Sequence, residues 1–258
     1  MAEHFDLVVV GTGSAGSSVA HPCREAGWSV AVVDDQPLGG TCANRGCDPK
    51  KVLVGAGDVV DWARRMSDHG VRGQDVRIDW PELMRFKRTF TEPVPANREQ
   101  GYLKAGIRVF HGTARFTAPD AMEIGGAALT ASHFVIAAGA APARLGIRGE
   151  DLLIHSDQFL ELDSLPEGLI FAGGGYIAFE FAHLSARAGA RVTIIHRGAR
   201  PLEAFDADLV GRLVEHSRRI GIEIHLNTIV QGIERAGDGV RVHTSSGIFE
   251  AARAVHAA

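Results

Sequence analysis

FDLVVVGTGSAGSSVAHPCREAGWSVAVVD, residues 5–34, is the stretch on which the fold turns. Phe5–Val10 is continuously apolar, the pattern of a parallel-sheet strand with both faces covered. A glycine turn, GTGSAG, follows at 11–16, then helical spacing to about Ala26, then a second apolar strand that ends on Asp34. Strand, turn, helix and strand in this order make a βαβ unit. In Gly11-x-Gly13-x-x-Gly16 the first glycine permits a tight turn, the second lets the backbone approach a pyrophosphate, and the third lets helix and strand pack closely. The amides of Ser14 and Ala15 open the helix, whose positive end favours phosphates. Asp34 stands where an acid can accept from ribose hydroxyls. A chain with 31 glycines can produce such spacing by chance; the strand before, the helix after and the acid beyond argue for a dinucleotide turn. Pro22 predicts a kink or an early end of the helix, because it removes a hydrogen bond and clashes with the preceding turn.

The pattern recurs half a chain later. LPEGLIFAGGGYIAFEFAHLSARAGARVTIIHR repeats strand, turn, helix and strand between 169 and 197, with Gly173-x-Gly175-x-x-Ala178 as the turn. Its second strand ends not on an acid but on His196, Arg197 and Arg200. Cations at that place suit a 2′-phosphate, so NADPH is expected over NADH. Between the two units the spacing predicts a helix from Lys50 to about Met66, with Leu53, Val54, Val59 and Trp62 on its buried side. A further helical stretch starts near Trp80 and is interrupted by Pro93 and Pro95, and short strands run from 108 to 138. Beyond 206 the reading is one helix and then strands at IEIHL (222–226), GVRVHTSSGIFEA (239–251) and RAVHAA (253–258), the chain stopping inside the last of them.

Bulk properties narrow the class. With 258 residues, 45% hydrophobic, 22% charged and a net charge of −4, the chain has the make-up of one or two ordinary globular domains. No long basic run points to a nucleic acid, no apolar stretch reaches a membrane span, and the N-terminus lacks the basic region of a signal peptide. The expected location is the cytoplasm, where lasting disulfides are unusual and cysteine pairs are more often catalytic or redox-sensing.

Two of the three cysteines lie in GGTCANRGCDPKK, residues 39–51. A structural zinc site needs four ligands and usually a second pair, which is missing. A structural disulfide closing so short a loop would stabilise little. A pair cycling between thiol and disulfide accounts for more: Gly46 allows a close turn, Pro49 suits a first helical turn, and Cys47 stands by that helix N-terminus. The helix end, Arg45, Lys50 and Lys51 would stabilise a thiolate, and Asp48 would oppose them. Cys23 reads as a small buried apolar residue.

These motifs, with HGTARF, VIAAGAAP, SDQFLELDSLP and GGGYIAFE in the same order, resemble the class I flavoprotein disulfide reductases, which include glutathione reductase, lipoamide dehydrogenase and mercuric reductase. HRGARPLEAFD and the doubled lysine look most like the glutathione reductase branch. The resemblance implies an α/β fold of two doubly wound Rossmann-like domains. One, over 1–150, would bind FAD and carry the cysteine loop. The other, over 151–258, would bind NAD(P)H and be incomplete, the dimerisation domain being absent. FAD would contact Gly11, Gly13, Ser14, Ala15, Gly16, Asp34, Gly40, Thr41, Ala114, Ala138 and Gly139. NADPH would contact Gly173, Gly174, Gly175, Ile177, Arg197 and Arg200. Cys42 and Cys47 would form the redox-active disulfide, Cys47 facing the flavin and Cys42 attacking a small-molecule disulfide. Lys50 or Lys51 would sit by the flavin and pair with Glu180, and Tyr176 would cover the flavin until nicotinamide arrives.

Departures from the pattern limit this reading. The branch carries an arginine on the first helix where this chain has His21 and Pro22, and its second phosphate-loop arginine is replaced near Glu203. The family's later segments, including a His and Glu that serve the leaving thiol across a homodimer, have no counterpart here. Two functions are therefore carried forward: the N-terminal portion of an NADPH-dependent, glutathione reductase-like flavoenzyme, inactive alone, or a non-catalytic nucleotide-binding remnant. An NADH oxidase is disfavoured by the Cys-x4-Cys loop.

Overall fold

The computed structural model describes residues 2–73 and 75–258. The elements are β1 (Glu3–Val10), α1 (Ser14–Glu25), β2 (Val30–Asp34), α2 (Gly40–Arg45), α3 (Cys47–Arg65), α4 (Trp80–Thr91), α5 (Val94–Lys104), β3 (Arg108–His111), β4 (Ala114–Ala118), β5 (Ala121–Ile124), β6 (Ala127–Ile136), α6 (Ser156–Phe159), β7 (Gly168–Ala172), α7 (Tyr176–Arg187), β8 (Arg191–Ile195), α8 (Ala207–Arg219), β9 (Glu223–His225), β10 (Val230–Ala236), β11 (Gly239–Thr244), β12 (Gly247–Ala251) and β13 (Arg253–His256). They pack into two compact units, residues 1–50 with 88–141 and residues 51–87 with 142–258.

The first unit is built on a six-stranded sheet in the order β3-β2-β1-β6-β5-β4. β3, β2, β1 and β6 run parallel, and β6, β5 and β4 form an antiparallel meander. The pleat sends alternate side chains of β1 and β2 to opposite faces. Leu7, Val9, Val30 and Val32 pack with Ala20 of α1, Tyr102 of α5 and Ile107. Val8, Ala31 and Val33 pack with Met122, Ile124 and Leu129. Two covered faces are why the strands read as unbroken apolar runs.

The second unit holds a parallel sheet, β13-β7-β8-β9, and a separate antiparallel sheet, β10-β11-β12. Leu169, Phe171 and Ile194 bury against α7, α8 and the side chains Leu53, Trp80 and Met84. Ile170, Ala172 and Ile195 bury against Ile233, Val240 and Val242 of the antiparallel sheet. Lys87 of α4 is fully buried in this unit. Its ammonium donates to the Leu160 carbonyl at 2.9 Å and to the Glu161 carboxylate at 2.5 Å, the pairing a buried charge requires.

Three expectations are corrected. α1 does not end at Pro22 but continues to Glu25. Its last turn is held from outside, by the Arg24 guanidinium donating to the carbonyls of Ala105 and Trp28. The buried side of α3 is Leu53, Gly57 and Val60, whereas Val59 and Trp62 are 63% and 61% exposed. Gly57 carries no apolar side chain to announce the buried stripe, and it admits Leu184 and Arg187 close to its backbone. The strand Val230–Ala236 was missed, because Gln231, Gly232 and Glu234 interrupt its alternation. By packing, residues 51–87 group with the later residues.

The burial of α3 sets a stability contrast. Leu53→Ala is expected to destabilise the chain by about 2–5 kcal/mol through lost burial and a cavity. Trp62→Ala removes only an exposed ring under the Arg65 guanidinium and should cost less than about 1 kcal/mol. Urea unfolding of the two variants checks this, and equal midpoints would contradict it.

Candidate active site

The first glycine turn is fixed by backbone geometry. Gly11 has φ +102°, and a Cβ there would lie 2.2 Å from the Ala137 carbonyl oxygen, so only glycine fits. Its amide donates to the Val33 carbonyl at 2.7 Å, and the Ala137 amide donates to Val10 at 2.7 Å. The result is a cleft of about 250 Å³ at the carboxyl ends of β1, β2 and β6, where open α/β sheets hold ligands. Gly11, Gly13, Asp34, Gly40, Thr41, Ala114, Ala138 and Gly139 all line it. Ser14 and Ala15 are exposed at the start of α1, and Gly16 is buried beneath the turn, so these three meet a ligand only through the helix end.

Sequence reasoning missed Thr12, Asp35 and Thr113, which line the same cleft. Thr12 is fully buried and donates to Asp34 through both its amide and its hydroxyl. The Thr113 hydroxyl donates to Asp35. The one signal for Thr12 was a hydroxyl residue between two glycines of the turn.

The second turn repeats the device. Gly173 has φ +127°, and a Cβ there would meet the Ala257 carbonyl oxygen at 2.1 Å. Its amide donates to Ile195 at 2.8 Å, and the Ala257 amide donates to Ala172 at 2.9 Å. This cleft is larger, about 670 Å³, and includes Gly173, Gly174, Gly175, Tyr176, His196, Arg197 and Glu203. Tyr176 is 59% exposed at the first turn of α7, so it is not a core tyrosine. Ile177 packs against the hydrophobic core instead of lining the cleft. Arg200 does not line it either: its guanidinium donates to the carbonyls of Phe205 at 2.8 Å and Glu203 at 2.9 Å. Glu203 approaches the His196 ring at 3.9 Å, bringing an acid to the end of the strand beside the cations.

Cys42 lies half-buried in α2, and Cys47 is exposed at the start of α3. Both are free thiols, and their side chains are joined by a hydrogen bond. That hydrogen bond, then burial and the charges of Cys47 and Asp48, push the Cys42 thiol above the ordinary cysteine range. Gly40 and Thr41, which line the first cleft, are the two residues before Cys42. Lys50 is half-buried and Lys51 exposed on the opening turns of α3.

In the second unit Glu180 shares a small cleft with His183 and Arg187 of α7. Burial first, then the charges of Arg187 and His216, push His183 down to about 4, so its ring is neutral at pH 7 and serves poorly as a proton acceptor there. Its Nε2 and the Ser217 hydroxyl are 2.8 Å apart. Among the described residues no group of three or more His, Cys, Asp or Glu could hold a metal ion, and no helix is long and apolar enough to cross a membrane.

Residues 5–258 match the family described as pyridine nucleotide-disulphide oxidoreductase. The chain is 31% identical over 243 residues to a glutathione reductase of Burkholderia cepacia, covering 94% of this chain and 54% of that protein. It is 32% identical over 245 residues to a mercuric reductase of Streptomyces lividans, covering 92% and 52%. The Cu(II) complex of the HOCl-induced flavoprotein disulfide reductase RclA from Escherichia coli superposes with a TM-score of 0.88 at 26% identity, covering 100% of this chain and 57% of that one. The chain thus spans about half the length of the curated relatives it matches.

The raised Cys42 pKa has a direct test. Cys47→Ala removes its largest cause, so more Cys42 is thiolate at pH 8. Iodoacetamide labelling of Cys42, resolved by peptide mass spectrometry, should quicken by about threefold or more, since the thiolate is the reacting form. Unchanged or slower labelling would contradict the assignment.

Proposed function

Because the chain belongs to the pyridine nucleotide-disulphide oxidoreductase family, we propose that it is the nucleotide-binding and dithiol portion of an NADPH-dependent flavoprotein that reduces a small-molecule disulfide, as a homodimer in the cytoplasm. The observation that carries this reading is the continuity of the first cleft with the thiol pair: Gly40 and Thr41 line the one and Cys42 follows them.

FAD fits the first cleft on the chemistry of its walls. The glycine cradle excludes a Cβ at Gly11, Asp34 is available to a ribose, and the α1 N-terminus is available to phosphate. Bound there, FAD would relay two electrons from NADPH to the cysteine pair. The chain's own residues do the rest. Cys42, once deprotonated, attacks one sulfur of the substrate disulfide, and the other sulfur leaves as a thiolate that takes up a proton. Cys47 then attacks Cys42, the second substrate thiolate leaves and is protonated, and a Cys42–Cys47 disulfide remains. The raised Cys42 pKa makes a base necessary for the first attack at neutral pH. His183 supplies it poorly, because burial holds its affinity for protons low. The half-buried position of Lys50 favours it over Lys51 as the lysine beside the flavin.

NADPH is assigned to the second cleft on Arg197, with His196 beside it. Arg200, tied to backbone carbonyls, contributes nothing to that preference, and Glu203 works against it.

Two outcomes test the reading. The full-length protein should use NADPH in preference to NADH, and Arg197→Glu should cut that preference by about tenfold or more, the worth of a charge-assisted hydrogen bond; equal kcat/KM with both cofactors before mutation would remove the claim. The 258-residue chain should show bound flavin but little NADPH-dependent reduction of glutathione disulfide beside the full-length protein, because a positioned proton-transfer group is worth about 10²–10⁴-fold. Comparable turnover from the short chain would overturn the proposed inactivity.

A further inference from the structure

Thr12 is the least explained residue of the first cleft. Of the turn's six residues, 11–16, its side chain alone reaches the acid at the end of β2. It is fully buried, a costly place for a hydroxyl without partners. Its Oγ1 donates its one proton to Asp34 Oδ2 at 2.6 Å and accepts from the Gly39 amide at 3.1 Å. The Thr12 amide donates to the same Oδ2 at 2.8 Å. Oδ1 accepts from the Gln36 amide at 3.0 Å. A carboxylate has about four lone-pair sites, and these three donors leave one open, on Oδ1.

Resting on the flavin reading above, we propose that Thr12 is a positioning residue for the cofactor: its hydroxyl locks the Asp34 carboxylate so that a single Oδ1 lone pair is kept for one ribose hydroxyl of the adenosine half. Aspartate is a short acid, and without the lock it can rotate about χ2 and share its oxygens differently. The lock also spans the chain. Through Gly39 the same hydroxyl holds the segment that leads into Gly40, Thr41 and Cys42. Serine can make both hydrogen bonds, valine neither, and valine also leaves the buried Gly39 amide without its acceptor.

The test is the affinity of the 258-residue chain for FAD, followed by displacement of that FAD, read through flavin fluorescence, with ADP and with 2′,3′-dideoxy-ADP. In the unmodified chain ADP should outcompete the dideoxy analogue. Thr12→Val should weaken FAD and ADP by about tenfold, as for a hydrogen bond to a charged group, and leave the dideoxy analogue within about twofold. Thr12→Ser should restore both ribose-bearing ligands to within about threefold. Where the valine variant does not fold, Thr12→Cys, a weak donor of similar size, should give the same order of effects. Equal weakening of all three ligands, or none, would reduce Thr12 to a structural role and overturn the proposal. An unmodified chain that binds neither FAD nor ADP would overturn the flavin reading, and the proposal with it; binding without a Thr12 effect would overturn the proposal alone.

Discussion

Two backbone hydrogen bonds at the end of a central strand shape each of the two clefts. At the end of β1 the Gly11 amide reaches across to β2 and the Ala137 amide reaches back from beyond β6. At the end of β7 the Gly173 amide reaches to β8 and the Ala257 amide reaches back from beyond β13. Each pair bends the chain away from its sheet just where the following helix starts. The backbone crowding that results tolerates no Cβ at the first glycine. Every lining group then takes its place from this bend: the acid or base at the end of the neighbouring strand, the small residues of the facing segment, and the helix terminus.

Around the first bend the polar side chains are hydrogen-bonded to one another. Thr12 joins Asp34 to Gly39, and Asp35 accepts from Thr113 on the opposite wall. A hydrogen bond joins the thiols that follow, and that bond, then burial and the charges of Cys47 and Asp48, raise the Cys42 pKa. The second cleft is more evenly balanced in charge, with Arg197 and His196 against Glu203. Arg200 shows why residue type is a poor guide to a binding role. Its guanidinium caps the carbonyls of a tight loop, and those donors are no longer available to a ligand.

Much of the fold was legible in the sequence because two of its signals are strong and local. Continuous apolar runs bounded by glycine turns specify parallel strands, and both βαβ units follow from them. The buried face of α3 was misread because a helix presents its stripe by position, and the stripe here passes through Gly57, which no count of apolar residues can find. Val59 and Trp62 drew attention by size and stand on the other side. In the sites, residues recognised by motif were brought together: Gly11, Asp34, Gly40 and Thr41 in one cleft, Gly173 to Tyr176 and Arg197 in the other, and the two thiols within a hydrogen bond. Thr12, Asp35 and Thr113 were not found, since their roles depend on hydrogen bonds between segments far apart in the chain. The rise in the Cys42 pKa likewise depends on the hydrogen bond with Cys47 and on burial, neither of which spacing conveys.

The interleaving of the two units bears on how the chain can be made and taken apart. Neither unit is a continuous stretch: residues 51–87 leave the first unit and pack with 142–258, and 88–141 return to the first. During synthesis the first unit cannot close its sheet until β6 has emerged, and α3 and α4 must wait longer still for the strands that bury Leu53 and Trp80. For that interval two apolar helix faces depend on chaperones or on transient contacts to stay out of aggregates. Afterwards no single peptide-bond cleavage can release either unit intact. A protease that nicks one of the three connections leaves two others, and the severed piece still packs within its unit, so a clip seen on a denaturing gel is compatible with a particle that stays together in solution.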